Sequence, residues 1–293
     1  MKSIDYETRG TMLAINALDY AATDWIAQTR LMIDDQLDHH LSLGQTSPVS
    51  EAMRYSVLSG GKRIRPLLTM AVSKYLDCAP AHTIDVACAI EMIHSASLIL
   101  DDLPCMDNDN VRRNRVSTHV KFGESLTILA AVSLLTHSQC MIASHKSLPG
   151  ELRLKLIRLL CDTVGAQGLS LGQYIDLNTK IEATSPAAIS DMHHLKTGVL
   201  FVAAAKAACL AADAAPEKQE QVMHFTTNIG LAFQLLDDIK DADAEETNLV
   251  TRIGVTSAQR KVREYLQAAN IAIEGEPNAD VLQSFVGEFF RKV

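Results

Sequence analysis

The stretch TIDVACAIEMIHSASLILDD, residues 83–102, decides the fold class of this chain. Its apolar residues recur at spacings of three and four and occupy most of its faces, which is typical of a helix surrounded by other helices. It ends in two adjacent aspartates, and LPCMDND follows. An apolar run that ends in carboxylates predicts a helix that rises from a buried core to the mouth of a cavity.

Helical spacing continues on both sides of this stretch. The same pattern predicts further helices over residues 10–42, 49–58, 65–77, 124–146, 151–166, 167–179, 186–213, 216–242, 256–273 and 279–291. No segment shows a convincing strand alternation, and the Gly and Pro residues between the helices mark no change in composition. We therefore expect one all-α domain, a helical bundle, over residues 1–293.

The composition supports this class and excludes others. The chain has only 14 Gly and 8 Pro in 293 residues, and its aromatic content of 5% is low for a β-sandwich. A formal net charge of −8 argues against nonspecific binding to nucleic acid. No run of about 18 apolar residues predicts a membrane span. The six cysteines form no CxxC pair, which indicates reduced thiols, so we expect a cytoplasmic protein.

The first of two aspartate clusters closes the opening stretch, in LILDDLPCMDND (98–109). His94 lies about two helical turns before Asp101 on the same face. Asp107 would lie on a different face if the helix continued. Pro104 disfavours that continuation, so we expect the chain to turn and bring Asp107 back towards Asp101.

The second cluster lies in FQLLDDIKDAD (233–243). At about 100° per residue, its first three aspartates and one glutamine share one side of the predicted helix. They are Gln234, Asp237, Asp238 and Asp241. Carboxylates on one face repel each other unless a cation compensates them. Oxygen ligands suit a hard ion such as Mg²⁺ or Ca²⁺, and Mg²⁺ completes its shell with water and phosphate oxygens.

Basic residues flank both clusters. In GGKRIRP (60–66) three cations follow a glycine pair at the start of a predicted helix, where the helix N-terminus adds to the attraction for anions. Two arginines follow the first cluster, and a Lys-Thr pair interrupts an apolar helix. The residues are Lys62, Arg63, Arg65, Arg112, Arg113, Lys196 and Thr197. Cations beside metal-type carboxylates predict a site for diphosphates in a water-poor cavity.

With these motifs the chain resembles the trans-isoprenyl diphosphate synthases. GGKRIRP, DDLPCMDND, the arginine pair, GQYIDL (172–177), the Lys-Thr pair and FQLLDDIKD follow the order of that family over roughly residues 45–255. The resemblance implies a bundle around a deep apolar cavity and a homodimer. It also implies condensation of isopentenyl diphosphate with an allylic diphosphate, which is dimethylallyl, geranyl or farnesyl diphosphate.

The resemblance also implies a role for each candidate residue. About three Mg²⁺ ions, with Mn²⁺ as the alternative, would be held by Asp101, Asp102, Asp107, Asp237 and Asp241. The allylic diphosphate would be contacted by Arg112, Lys196, Thr197 and Gln234. Isopentenyl diphosphate would be contacted by Lys62, Arg65, His94 and Arg113. The catalytic set would be the metal ligands together with Asp238 and Lys196.

Two small residues bear on the length of the product. Ala96 and Ser97 lie about one helical turn, or about 6 Å, before Asp101. The farnesyl-forming members of the family commonly carry an aromatic ring there. Small side chains leave the cavity open, so we expect a product longer than C15, namely geranylgeranyl diphosphate (C20).

Two segments depart from the family's pattern. RRNRVSTH (112–119) has Asn114 where the family usually has Gly, and Asn tolerates positive φ better than most residues. After the second cluster, Glu246 occupies the place of a usual lysine. A negative charge there predicts a competent but slow or specialised enzyme.

Three other interpretations stay open. The chain could be a farnesyl diphosphate synthase, since no residue fixes the final chain length. It could be a catalytically weak regulatory subunit of a prenyl synthase, an interpretation that Glu246 favours. It could be a class I terpene cyclase, although such enzymes usually have one Asp motif and this chain has two, together with GGKRIRP.

Overall fold

The structure is a computed structural model that describes residues 25–42, 46–178, 191–192, 194–240, 250 and 253–291. Within these ranges the chain forms helices and one short hairpin. The helices are α1 (25–41), α2 (Pro48–Val57), α3 (Ile64–Tyr75), α4 (Ile84–Asp101), α5 (Thr118–Phe122), α6 (Glu124–Ser144), α7 (Gly150–Val164), α8 (Leu169–Asn178), α9 (Val199–Ala211), α10 (Pro216–Lys240), α11 (Val255–Ala272) and α12 (Ala279–Phe290). The expected all-α fold is confirmed.

Helix α4 lies at the centre of the bundle because other helices surround it. It packs against α2, α3, α6 and α9, while α10 packs against α9 and α11. Its residues Val86–Ile93 are all buried. The apolar residues of α4 therefore belong to one core shared by the neighbouring helices, as the sequence pattern predicts.

One stripe of α4 is less buried than the rest. Between residues 86 and 101 the partly buried positions are His94, Ser97, Leu98, Leu100 and Asp101. Spacings of three and four place His94, Ser97, Leu98 and Asp101 on a common face. Ala96 is fully buried on the other side of the helix. We call the four residues on the common face the open stripe of α4.

A short hairpin that the sequence did not predict follows the first aspartate cluster. Strands β1 (Val111–Arg112) and β2 (Arg115–Val116) pair antiparallel. Arg113 and Asn114 form the turn, with φ values of 54° and 59°. Two successive residues with positive φ are characteristic of a type I′ hairpin turn. Asn114 thus has the positive φ expected of a residue that replaces glycine.

Residues 186–190 and 193 of the predicted helix over 186–213 lie outside the described residues, and the described part contains a π-helical turn. The turn spans His194–Gly198 and leads directly into α9. π-Turns inside helices are frequent at functional sites. This one contains the Lys-Thr pair, and it packs against α8 and α10. Gly172 of α8 lies so close that an added Cβ would be 2.5 Å from the backbone nitrogen of Lys196.

Two segments of the described chain are long and apolar enough to cross a membrane, Glu124–Ser144 and His194–Ala211. Length and composition alone are weak support for a span, because core helices pass the same test. In the second of them, α9 contributes eight buried residues to the bundle. The first, α6, keeps an apolar face exposed at Ile128, Leu129 and Val132, which are 43%, 54% and 53% exposed.

Candidate active site

The end of α4 positions the first aspartate cluster. The helix stops at Asp101, and the chain turns through Pro104. The backbone N–H of Asp107 donates to the carbonyl oxygen of Asp101 at 2.9 Å. The predicted reversal that brings Asp107 back to Asp101 is therefore confirmed, and both carboxylates lie near the ammonium of Lys196, which is 3.9 Å from Oδ2 of Asp107.

Asp101 is a carboxylate that the protein does not fully compensate. Burial raises its pKa to about 6, and the neighbouring charge of Asp107 adds to this effect. The positive charge of Lys196 opposes the shift without cancelling it. A cation placed beside Asp101 would therefore be strongly favoured.

Asp102 is arranged differently from Asp101. Its side chain is 2% exposed, and Oδ1 accepts hydrogen bonds from Nε and Nη2 of Arg112 at 2.8 and 2.5 Å. Burial raises the pKa of Asp102, and the Arg112 guanidinium opposes that rise. Arg112 also contacts Asp109 at 2.8 Å. Asp102 thus holds Arg112 at the edge of the cluster.

Lys196 connects the first cluster to α8 through a residue that sequence reasoning did not single out. Its Nζ donates to the carboxylate of Asp176, which belongs to the GQYIDL motif. Burial disfavours the charge on Lys196, but the hydrogen bond to Asp176 and the negative charges of Asp176, Asp107 and Asp101 together raise the pKa of the lysine. Both polar atoms of the Gln173 side chain are buried and lack a partner among the described residues. The GQYIDL motif pointed to the segment that contains Asp176, but the spacing of its residues does not show which of them contacts Lys196.

Arg65 and His94 form the centre of the basic side of the site. Nη1 of Arg65 lies 3.2 Å from Nε2 of His94, and the guanidinium stands over the ring of Phe201 at 4.9 Å. Burial lowers the pKa of His94 far below its usual value, and the charge of Arg65 lowers it further. His94 is therefore neutral, and because Arg65 can only donate, Nε2 of His94 is the acceptor.

The cations of GGKRIRP do not share one environment. Lys62 is exposed and Arg65 is partly buried. Arg63 is 3% exposed and is turned into the protein, away from the other two. From the hairpin, Arg113 donates to the carbonyl oxygen of Gly60 and packs against Gly61, where an added Cβ would be 2.8 Å from the guanidinium carbon. The absence of a side chain at Gly61 therefore makes room for Arg113.

The second cluster lies at the end of α10. Asp237 is paired with Lys240 at 2.7 Å, and Asp238, which is 6% exposed, accepts a hydrogen bond from Nε2 of Gln234 at 2.9 Å. Gln234 and Asp238 also border a cleft between the π-turn, α10 and α11. Asp241 and Glu246 lie outside the described residues.

The second aspartate cluster interacts electrostatically with Arg65 on the basic side of the site. Burial lowers the pKa of Arg65 to about 10, and the negative charges of Glu91 and Asp237 oppose this. Asp237 is thus close enough to act on the guanidinium that contacts His94. Thr197, the remaining predicted contact of the allylic diphosphate, lies beside Lys196 in the π-turn and is partly buried.

The carboxylates fit Mg²⁺ that is shared with a diphosphate better than a metal held by protein alone. Among the described ranges, no three His, Cys, Asp or Glu side chains form a metal-ligand group. Mg²⁺ usually takes one or two carboxylates and fills its shell with water and phosphate oxygens. The undercompensated charge of Asp101 and the carboxylate of Asp107 beside it meet that requirement.

Comparisons with known proteins agree with this arrangement. The sequence model of the polyprenyl synthetase family matches residues 46–261. The chain is 42% identical over 255 residues to a geranylgeranyl diphosphate synthase of Pseudescherichia vulneris, with 82% of this chain and 83% of that protein covered. It is 36% identical over 242 residues to a farnesyl diphosphate synthase of Bacillus subtilis, with 82% of each covered.

A solved structure shows the same likeness in three dimensions. The crystal structure of an FPP/GFPP synthase from Zymomonas mobilis superposes with a TM-score of 0.85 at 29% identity, and the match covers 92% of this chain and 99% of that one. The match to the family covers well over half of the chain and includes GGKRIRP, both aspartate clusters and the Lys-Thr pair. The chain therefore belongs to the polyprenyl synthetase family.

Proposed function

We propose that this protein condenses isopentenyl diphosphate with an allylic diphosphate and that its main product is geranylgeranyl diphosphate. The observation that carries the proposal is the position of Lys196, whose ammonium lies among the carboxylates of Asp107 and Asp176 and near Asp101. A cation and undercompensated carboxylates at the end of a buried helix form a site for a diphosphate and its metal. A geranylgeranyl diphosphate synthase is among its relatives.

On the allylic side, charges of the chain would stabilise the diphosphate as it leaves. Lys196 and Arg112 supply positive charge near the first cluster, and burial strengthens the effect of each charge. Asp102 keeps the guanidinium of Arg112 in place through two hydrogen bonds. Thr197 and Gln234 would add polar contacts to the same group.

On the other side, Arg65, Lys62 and Arg113 would hold isopentenyl diphosphate. Neutral His94 would fix the orientation of Arg65 without adding charge. Held in this way, the double bond of isopentenyl diphosphate can attack the allylic carbon as the carbon–oxygen bond to the leaving diphosphate breaks. The attack leaves a carbocation on the isopentenyl unit, and the adjacent carbon then loses a proton to the departed diphosphate. This restores a double bond and gives the longer allylic diphosphate, so no nucleophilic side chain is required.

The metal in this proposal is Mg²⁺, as is general in the family, with Mn²⁺ as the alternative. Asp101, Asp102 and Asp107 would hold it from the first cluster, and Asp237 and Asp241 from the second. When bound, the ions neutralise the leaving diphosphate and orient it. We expect about three ions per site, a number that follows from the resemblance alone.

The product length is proposed from the open stripe of α4. Ser97 lies on the stripe, is partly buried and is one turn below Asp101, so a small side chain stands where farnesyl-forming members of the family commonly carry an aromatic ring. Farnesyl diphosphate is the second candidate product, since a farnesyl diphosphate synthase is 36% identical to this chain.

We also propose that the protein is a cytoplasmic homodimer, organised as one domain. The apolar residues Ile128, Leu129 and Val132 form an exposed stripe on α6, one of the most apolar helices of the chain. A contiguous apolar face on a monomer usually marks an interface. A second copy of the chain is the partner that the family resemblance implies.

A product assay tests the proposed function. Purified protein is incubated with Mg²⁺, labelled isopentenyl diphosphate and, in separate reactions, dimethylallyl, geranyl or farnesyl diphosphate, and the products are sized. We expect a C20 product that requires Mg²⁺. Elongation that ends at C15 would replace the product by farnesyl diphosphate.

The same assay separates the remaining alternatives. Release of diphosphate with formation of a hydrocarbon, without consumption of isopentenyl diphosphate, would show a terpene cyclase. If the protein by itself shows no turnover but restores or redirects the turnover of a partner synthase, it is a regulatory subunit. Either outcome would refute the proposal.

A further inference from the structure

We infer that Arg63 is a positioning residue of the isopentenyl diphosphate site, because its buried ion pair with Glu91 fixes the loop that carries Lys62 and Arg65. This inference rests on the proposed function, which places isopentenyl diphosphate at Lys62, Arg65, His94 and Arg113. Arg63 itself does not contact the substrate. It acts by setting where its neighbours in GGKRIRP lie.

One guanidinium joins three helices. Nε of Arg63 donates to Oδ1 of Asp34 on α1 at 2.7 Å, and Nη1 donates to Oε1 of Glu91 on α4 at 2.8 Å. Nη2 donates to the carbonyl oxygen of Val57 at the end of α2, also at 2.8 Å. The side chains of Arg63 and Glu91 are 1% and 2% exposed, so the pair is sealed from water.

The backbone around Arg63 depends on this anchorage. Gly60, Gly61 and Arg63 have φ values of 83°, 126° and 53°, so the chain is left-handed at three of four consecutive residues. For an L-residue such as Arg63 this conformation is unfavourable, because Cβ crowds the backbone. Helix α3 begins at the next residue, Ile64. The three hydrogen bonds of the guanidinium hold the chain in the turn that starts α3.

The turn decides the positions of the two cations proposed to bind substrate. Because the Arg63 side chain enters the protein, Lys62 before it is exposed, and Arg65 after it reaches His94. Glu91 and His94 are about one turn apart on α4. Arg63 and Arg65 therefore dock on successive turns of the helix that carries the first aspartate cluster, and this docking sets the distance between the basic side and that cluster.

Stability alone does not account for this pair. Replacing a buried ion pair by apolar residues of similar volume is often neutral or stabilising, whereas removing one partner leaves an uncompensated buried charge. Glu91 would be such a charge if Arg63 were removed, while Asp34, whose side chain is 44% exposed, remains partly solvated. An apolar double substitution can therefore keep the fold and remove only the directional bonds.

The experiment compares binding of isopentenyl diphosphate in wild type and in the double variant Arg63→Met/Glu91→Met. The dissociation constant is measured by titration calorimetry without primer, and KM is measured separately for isopentenyl and allylic diphosphate. We expect the double variant to melt close to wild type, its Kd for isopentenyl diphosphate to rise about tenfold or more, and its KM for the allylic substrate to stay unchanged.

Two further variants control the result. Glu91→Gln keeps a hydrogen-bond acceptor for Arg63, so we expect a smaller rise in the same Kd, in a protein that folds. Arg54→Met removes an ion pair that joins α2 to α1, from Arg54 to Asp38 at 2.5 Å. We expect that control to leave the Kd unchanged.

A wild-type Kd in the folded double variant would overturn the inference, and so would an equal rise of both KM values. If the double variant does not fold, an unchanged Kd in Glu91→Gln would overturn it instead. Wild-type protein that binds isopentenyl diphosphate but elongates no primer would refute the proposed function, and the comparison of Kd values would still decide the role of Arg63. Wild-type protein that does not bind isopentenyl diphosphate would overturn both.

Discussion

At the scale of the residue, Asp101 and Asp102 show how neighbours in sequence acquire different tasks. Oδ1 of Asp102 accepts two hydrogen bonds from Arg112, whereas burial leaves Asp101 with a pKa raised to about 6. The difference arises because Asp101 ends α4 on its open stripe and Asp102 follows on the side that faces the hairpin. Asp101 is thus the carboxylate that gains most from a bound cation.

This difference predicts a pH-dependent effect of Asp101→Asn on metal-free protein. A carboxyl whose pKa is raised from 3.8 to about 6 on folding stabilises the protein fully below pH 3.8, and this contribution is lost as the pH rises through about 6. A shift of this size corresponds to about 3 kcal/mol at most. In the presence of a chelator, we expect Asp101→Asn to melt above wild type at pH 8 and the difference to shrink towards pH 4.

The control is Asp35→Asn, which removes an exposed carboxylate of α1. Its melting temperature is expected to follow that of wild type at each pH. A constant difference between Asp101→Asn and wild type across the pH range would contradict the prediction, because a constant effect does not come from proton uptake.

Sequence reasoning identified the residue types of the site but not all of their partners. Spacing and Pro104 were enough to predict that Asp107 returns to Asp101. Arg63 was placed with the anion-binding cations, yet the structure turns it inward to Glu91. The reason is its left-handed backbone, which reverses the direction of its side chain and which no pattern of residue types encodes.

At the scale of the element, α4 carries the information on product length. Its open stripe includes Ser97, while Ala96 is fully buried on another side. The sequence placed both residues one turn below Asp101 and could not distinguish them, because their spacing from Asp101 is nearly the same. The burial pattern favours Ser97 as the residue that borders the space for the growing chain.

We therefore expect Ser97→Phe to shorten the product more than Ala96→Phe. A ring at Ser97 would fill the space below Asp101 and stop elongation near C15. A ring at Ala96 would enter a packed core and cost about 1–3 kcal/mol. Sizing the products of both variants and measuring their melting temperatures tests this. A C20 product from folded Ser97→Phe would contradict the prediction.

Most helices could be predicted within a few residues of their ends, because their apolar spacing runs over several turns. The hairpin could not, since strands of two residues are too short to show alternation. Its turn was partly foreseen, because Asn114 stands where the family has glycine and adopts a φ of 59°. The π-turn at His194–Gly198 has no signature in the spacing of apolar residues.

At the scale of the whole molecule, the exposed face of α6 is the feature that the isolated chain leaves unexplained. The sequence of α6 is apolar on nearly all sides of the helix. The sequence pattern therefore does not show which side faces the core and which faces a partner. The structure separates the buried side from Ile128, Leu129 and Val132.

We expect Val132→Arg to convert a dimer into a monomer. A charge at a residue that is 53% exposed is tolerated by the folded subunit, but it would be buried without a partner across the interface. Sedimentation velocity measures the change. The control is Ile271→Arg on α11, a residue that is 60% exposed and is expected to leave the dimer intact. A monomeric wild type would contradict the proposed dimer.

The contact between Gly172 and the π-turn has a consequence for how the ammonium of Lys196 is located. The backbone of α8 packs directly against the backbone of the π-turn there. Even a methyl group at position 172 would lie 2.5 Å from the backbone nitrogen of Lys196. An alanine at position 172 would wedge the two segments apart and carry Lys196 away from Asp176, although Gly172 itself touches no reacting group. The position of the Lys196 ammonium thus depends on the lack of a Cβ at Gly172, which lets α8 approach the π-turn.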